Sequence, residues 1–218
     1  MLSCEQVSLI IPAYNEADRI GDVIEPALDY LSEIIVVDDG STDGTHKIAS
    51  DYEVTVLRHS ENRGKGEAMQ TGYEKAKNLG STALLFLDAD LRGLTTAHID
   101  SLVRPVVDDA APMTIGILDR TWIQMILLKK WGALSGQRAM PVGVWEQLDP
   151  QFRKNNRVEA ALNLTAQYNG WNRQIRRIEL EGVTHTGQWE KQNSLMKAIL
   201  VESKTYGTAA LTYAQMWL

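Results

Sequence analysis

The chain has 218 residues, 44% of them hydrophobic and 23% charged, with a formal net charge of −6. That length allows one sizeable α/β core, and the acidic balance argues against a general nucleic-acid binder, which carries a basic surplus. The single cysteine, Cys4, excludes an internal disulfide framework and a cysteine-based zinc site.

The opening residues, MLSCEQVSLIIPAYNE, lack a basic region and their apolar run is short, so no secretory leader is expected. VSLIIP reads as a buried strand ended by Pro12. Ile20, Val23, Ile24, Ala27, Leu28 and Leu31 follow with helical spacing. Pro26, inside that pattern, is expected to kink or split the helix. EIIVVDDGSTDGT gives a second buried strand, a turn and a short helix from Thr45. VTVLRH is a third strand, and KGEAMQTGYEKAKNLG a helix closed by Gly80. TALLFLDAD is the fourth strand.

TTAHIDSLVRPVV then reads as a helix running up to Pro105, and APMTIGIL as a strand. Residues 119–150 read as loop-rich around LSGQRAMP, apart from TWIQMILLKKWGAL, a helix expected to face the core rather than a membrane surface. NNRVEAALNLTAQY is a helix with Val158, Ala161, Leu162 and Thr165 on one side. RQIRRIELEGVTH is a strand ending at His185, and an amphipathic helix from about Glu190 closes the chain. No segment approaches the roughly 20 apolar residues of a membrane helix. A cytoplasmic protein of one domain, residues 1–218, is expected, with halves at 1–108 and 109–218.

Strands that are apolar on both faces and alternate with helices imply a mainly parallel sheet covered on both sides. Ligands of such sheets bind beyond the carboxyl ends of the strands. The polar clusters fall there: Tyr14, Asn15 and Glu16, then Asp38 and Asp39, then Asn62 to Gly66, then Asp88 and Asp90. In an extended strand Asp88 and Asp90 project to one side, and paired carboxylates repel unless a cation or proton sits between them. A carboxylate at Asp38 or Asp39 can accept a hydrogen bond from a base or a ribose hydroxyl. Gly64, Lys65 and Gly66 open a helix, where backbone N–H groups and a lysine suit a phosphate. The spacings of a P-loop and of a dinucleotide fingerprint are absent.

SLIIPAYNEADRI, IIVVDDGSTDGT, NRGKGEAMQTGY and LLFLDADL, in that order, resemble glycosyltransferase family 2, whose members have the GT-A fold and use nucleotide-sugar donors. The resemblance covers roughly residues 6 to 108. It implies a three-layer α/β/α, Rossmann-like fold with a mixed, mainly parallel central sheet. It also implies a UDP- or GDP-sugar donor, with Pro12, Ala13, Tyr14 and Glu16 around the nucleoside, Asp39 near the base, and Lys65 near the base or phosphates. Asp88, Ala89 and Asp90 would be the D-x-D segment, holding Mg²⁺ or Mn²⁺ on the diphosphate. No Q-x-x-R-W motif of processive synthases is present.

SGQRAM and NNRVEAALN resemble acceptor-side segments of the glucosyl-3-phosphoglycerate synthase and mannosylglycerate synthase group. They also sit where polyprenyl-phosphate sugar transferases keep their acceptor region. Gly136, Gln137, Arg138 and Glu159 are the candidates there, set against plain structural or surface roles for Arg138 and Glu159. His185 is a candidate third metal ligand, set against a hydrogen-bonded histidine at a strand end. The acceptor is thus expected to be a small molecule or a polyprenyl phosphate, with peripheral membrane contact and a homodimer left open. A nucleotidyltransferase of similar architecture and an inactive GT-A binding module are the rival readings.

Overall fold

Side-chain alternation along a central strand, β1 (Val7–Ala13), sets the layering. Val7, Leu9, Ile11 and Ala13 join one apolar core, and Ile10 joins another. The structure, a computed structural model, describes residues 6–118, 135–153, 157–170, 174–185 and 212. Around β1 stand β2 (Glu33–Asp38), β3 (Thr55–Arg58) and β4 (Ala83–Phe86). A short ribbon pairs β5 (Leu91–Arg92) with the final strand described, β9 (Thr184–His185). With β6 (Thr114–Leu118), β7 (Arg138–Pro141) and β8 (Arg176–Leu180), the main sheet has, among the described residues, seven strands in the order β3-β2-β1-β4-β7-β6-β8.

The pairs β1–β2, β1–β4, β2–β3 and β6–β8 are parallel, whereas β7 runs antiparallel to both β4 and β6. Helices α1 (Ile20–Leu28) and α4 (Thr96–Val107) bury their apolar stripes in the first core, beside the short α2 (Thr45–Ala49). Helix α3 (Lys65–Asn78), the short α5 (Val142–Glu146) and α6 (Val158–Tyr168) bury theirs in the second. The result is the expected three-layer α/β/α arrangement with a mixed, mainly parallel sheet. Gly80 closes α3 as expected: its φ is +82°, and the Ser81 and Gly80 N–H groups donate to Ala76 O and Lys77 O.

Several element bounds differ from expectation, each for a local reason. β1 does not stop at Pro12, which lies opposite Val37. Ala13 O accepts from Asp39 N on the β2 side, so alternation turns the Pro12 nitrogen toward β4, whose pairing ends at Ile10 opposite Phe86. β4 has ended by then, so the missing N–H interrupts no strand pairing. Helix α1 is not split at Pro26, and α4 continues past Pro105 to Val107. Each proline lies in the last turn, where burial of Ala27, Val106 and Val107 offsets the lost hydrogen bond.

β4 ends at Phe86, and Ala89 and Asp90 form a turn, so strand alternation does not bring the two aspartates together. Residues 138–146, expected within a loop-rich stretch, form β7 and α5. Only Ala139 and Met140 mark β7 as buried strand, too short a run to read. The stretch ending at His185 is two strands in two sheets, divided at Gly182, whose φ is +75°. The expected helices at residues 121–134 and from about Glu190, and Cys4, lie outside the described residues. No helix among the described residues is long and apolar enough to cross a membrane.

Candidate functional site

The chain crosses from β1 to β2 on one side and later to β4 on the other, which opens a crevice at the carboxyl ends of β1 and β4. The turn after β2 shapes the first wall. Asn15, in a left-handed conformation (φ 56°), donates its N–H to Ser41 Oγ and accepts from Thr42 N, both at 2.9 Å. Glu16 N donates to Thr45 Oγ1 at 2.9 Å, and Ala17 N to Asp43 Oδ2 at 3.0 Å. Burial pushes the Asp43 carboxyl up, but hydrogen bonds from Thr45 and Ala17 outweigh it and hold the group below the usual carboxylate range. This clamp sets Tyr14 exposed and Ala13 and Glu16 buried at the rim, with Pro12 half-buried behind them.

The two adjacent aspartates at the end of β2 divide their tasks. Asp38 is buried, accepts from Ser41 N at 2.9 Å and pairs with Arg58 Nε at 3.1 Å. Asp39, also buried, holds the loop before α3. Its Oδ2 accepts from Gly64 N at 2.7 Å, and its Oδ1 from Arg63 N at 2.9 Å and His59 Nδ1 at 2.6 Å. An ionised carboxylate only accepts, so these contacts fix the loop's polarity as well as its position. Gly64, with φ 93°, makes the bend that starts α3.

Lys65, the first residue of α3, reaches across the crevice. Its Nζ lies 2.7 Å from Asp88 Oδ1 and 2.8 Å from Glu159 Oε1 on α6. The three side chains are 24%, 29% and 12% exposed, sheltered yet open to a ligand. Burial opposes the lysine's charge, but the two carboxylates outweigh it and hold its pKa above the ordinary lysine range. Burial likewise pushes the Asp88 carboxyl up, and Lys65, then Gln137 and His185, bring it below the ordinary carboxylate range. The cation beside Asp88 in this structure is therefore an ammonium group.

The start of β7 completes this side. Gln137 Nε2 donates to Asp88 Oδ2 at 2.9 Å, and Ser135 Oγ lies 2.6 Å from Gln137 Oε1 and from Gly116 O. A Cβ at Gly136 would overlap the Asp88 carboxylate and Lys65 Nζ, so a side chain there would push that pair aside. Arg138 is fully buried, donating from Nε to Ser135 O at 2.7 Å and from Nη1 to Asn163 Oδ1 at 2.9 Å. It braces the segment from within the second half and presents no face to the crevice. Ala89 is buried, and Asp90, half-buried, leads into β5, where Leu91 lies opposite His185.

Among the described residues no group of three or more His, Cys, Asp or Glu side chains stands ready to hold a metal ion. Asp88 and Asp90 stand two residues apart after β4, and Leu91, next to Asp90, lies opposite His185. Oxygen donors of this kind suit Mg²⁺ or Mn²⁺, which usually take one or two carboxylates and complete their shell with water and phosphate oxygens. The donor chemistry fits such an ion when it arrives with a phosphate ligand.

Sequence reasoning named Lys65, Asp88 and Glu159 separately and the structure brings them together. It missed Ser135, His59 and Asp43. For Asp43 a signal existed in the D-G-T helix start. His59 bonds Asp39, 20 positions away, and Ser135 bonds its near neighbour Gln137 but reaches the site only through Asp88, so no local pattern marks them.

Comparison with known proteins agrees with this geometry. The family model described as glycosyl transferase family 2 matches residues 8–123. A UDP-N-acetylglucosamine–dolichyl-phosphate N-acetylglucosaminyltransferase of Methanococcus voltae is 32% identical over 128 residues, 50% of this chain and 51% of that protein. A dolichyl-phosphate beta-glucosyltransferase of Drosophila melanogaster is 38% identical over 103 residues, 39% of this chain and 31% of that protein. The aligned region thus spans half of the first relative and less of the second. Among solved structures, glucosyl-3-phosphoglycerate synthase from Mycobacterium tuberculosis, in complex with Mn²⁺, UDP and phosphoglyceric acid, matches with a TM-score of 0.71. Identity there is 22%, over 93% of this chain and 78% of that one, which establishes a shared fold.

Proposed function

The chain belongs to glycosyl transferase family 2, and from that premise we propose that it moves a single sugar from a UDP- or GDP-linked donor to a small-molecule or polyprenyl-phosphate acceptor. The observation that carries this reading is the contact of Lys65 with both Asp88 and Glu159 at the carboxyl rim. It joins the nucleotide-type half of the chain to the half that would receive the acceptor. The solved relative was crystallised with Mn²⁺ and UDP, and the curated relatives are named for dolichyl-phosphate acceptors.

In this reading Pro12, Ala13, Tyr14 and Glu16 flank the nucleoside. Asp39, with Asp38 behind it, acts by holding the Gly64–Lys65 turn at the phosphates. Asp88 and Asp90, with His185, would hold Mg²⁺ or Mn²⁺. When bound, such an ion neutralises the charge that develops on the departing diphosphate. Lys65 can exchange a carboxylate for a phosphate oxygen, keeping its charge beside the leaving group. Glu159, then released from Lys65, can accept a hydrogen bond from a hydroxyl of the donor sugar or acceptor. Arg138 contributes by keeping Ser135 and the Gly136–Gln137 segment in place.

The test is transfer, or donor hydrolysis, with UDP- and GDP-sugars in the presence of Mn²⁺ or excess EDTA. Phosphoglyceric acid and a polyprenyl phosphate serve as the two acceptor arms. We expect turnover that requires the ion and falls by orders of magnitude in Asp90→Ala, whose circular dichroism spectrum remains that of the wild type. Full turnover in EDTA, or in Asp90→Ala, would refute the metal-dependent part. Binding of nucleoside diphosphates without any transfer would instead favour an inactive binding module.

A further inference from the structure

The Asp88 carboxylate is held at both oxygens by different parts of the chain. Oδ1 faces Lys65, and Oδ2 accepts from the Gln137 amide at 2.9 Å. Gln137 is buried, and its own amide is oriented by Ser135, whose hydroxyl lies 2.6 Å from Oε1. The single Ser135 proton serves either Oε1 or Gly116 O, also 2.6 Å away, and Gly116 N donates to Gln137 O at 2.8 Å. Two glycines make this approach sterically feasible. A Cβ at Gly116 would press on Gln137 Cβ, and one at Gly136 would overlap Asp88 and Lys65. A continuous line of contacts therefore runs from β6 through Ser135 and Gln137 to Asp88.

We propose that Gln137 is a positioning residue for Asp88. It fixes the plane of that carboxylate, and so which oxygen faces the crevice, through an amide whose direction Ser135 sets. The chemistry of the residue suits the task. An amide is neutral at every working pH and offers a permanent donor. A glutamate in its place would remove the donor and set a third carboxylate against Asp88. A lysine or arginine would compete with Lys65 for the same group. Gln137 thus differs from its earlier assignment as an acceptor contact: it acts on the rim through Asp88.

The expected consequence for ligand binding rests on the donor reading given above. Partners that orient a metal-ligating group typically change affinity or activity by about 10–100-fold when removed. Gln137→Met keeps the length and bulk of the side chain but lacks the donor. In calorimetric titrations we expect its affinity for UDP or GDP with Mn²⁺ to fall about tenfold. Affinity for the same nucleotide in EDTA should be unchanged, a contrast that a merely structural role would not produce. Ser135→Ala should show the same contrast at smaller size, because the amide remains but loses its orientation.

Equal Mn²⁺-dependent affinity in wild type and Gln137→Met would overturn the inference and leave the donor reading standing. Absence of nucleotide binding in the wild type would refute the donor reading instead. The geometric claim is checked without any ligand by a crystal structure of Gln137→Met. A carboxylate rotated from its wild-type plane supports the assignment, and one left in that plane, still bonded to Lys65, overturns it.

Discussion

Lys65 sits between two carboxylates with less than a third of its side chain exposed, and this dictates how the site responds to pH. The depressed Asp88 pKa contributes stability that is fully present above the ordinary value of about 3.9 and is lost as pH falls through the folded value. The raised Lys65 pKa contributes stability present below about 10.4 and lost as pH rises through the folded value. Between those limits the contact is independent of pH. Lys65→Met leaves Asp88 and Glu159 as sheltered like charges. It should destabilise the fold by about 2 kcal/mol, between exposed and fully buried pairs. The mutant's melting temperature should then rise on acidification toward pH 4–5, where the wild type stays level, as thermal melts over a pH series can check. The same variant should bind nucleoside diphosphates about tenfold to a hundredfold more weakly in calorimetry.

At the level of elements, the loop before α3 depends on β2 through Asp39. Asp39→Ala strands three donors, those of Gly64, Arg63 and His59. A loss of about 2–3 kcal/mol is expected by urea unfolding, with weaker nucleotide binding because Lys65 loses its fixed base. The ribbon β5–β9 depends on a close backbone approach. Gly93 has φ +75°, and a Cβ there would meet Gly182 O at 2.5 Å. Gly93→Ala should therefore lower stability by more than about 1 kcal/mol and displace His185 from the strand after Asp90. If His185 assists the metal, the Mn²⁺ concentration for half-maximal activity should rise with it. Much of this was legible beforehand. The parallel half could be read from runs such as IIVVDD, because burial on both faces leaves a continuous apolar signature. β7 could not, since a short buried strand begun by Arg138 and preceded by Gln137 looks polar. Lys65, Asp88 and Glu159 were visible as residue types, but Lys65 and Glu159 are 94 positions apart, and only the packing of α6 against the sheet joins them.

For the whole molecule, one measurement gathers these terms. A ligand at one hundred times its Kd stabilises the folded state by about 2.7 kcal/mol. For a chain of this length that corresponds to a rise of roughly 5–10 °C in melting temperature. UDP or GDP with Mn²⁺ should give that rise, and a negligible one with Asp90→Ala. The antiparallel placement of β7 has a further meaning for engineering. β6 climbs toward the rim where the parallel strands end, and β7 descends from it. The chain therefore leaves the sheet at Leu118 and returns at Arg138 on one side of the molecule, the side of Asp88. Leu118 and Arg138 thus form a pair of anchors at one rim of the sheet. A flexible insertion between such anchors costs only about 0.6 kcal/mol of closure entropy for each doubling of its length. A designer can thus vary what is spliced at that rim while β1 to β4 keep their register.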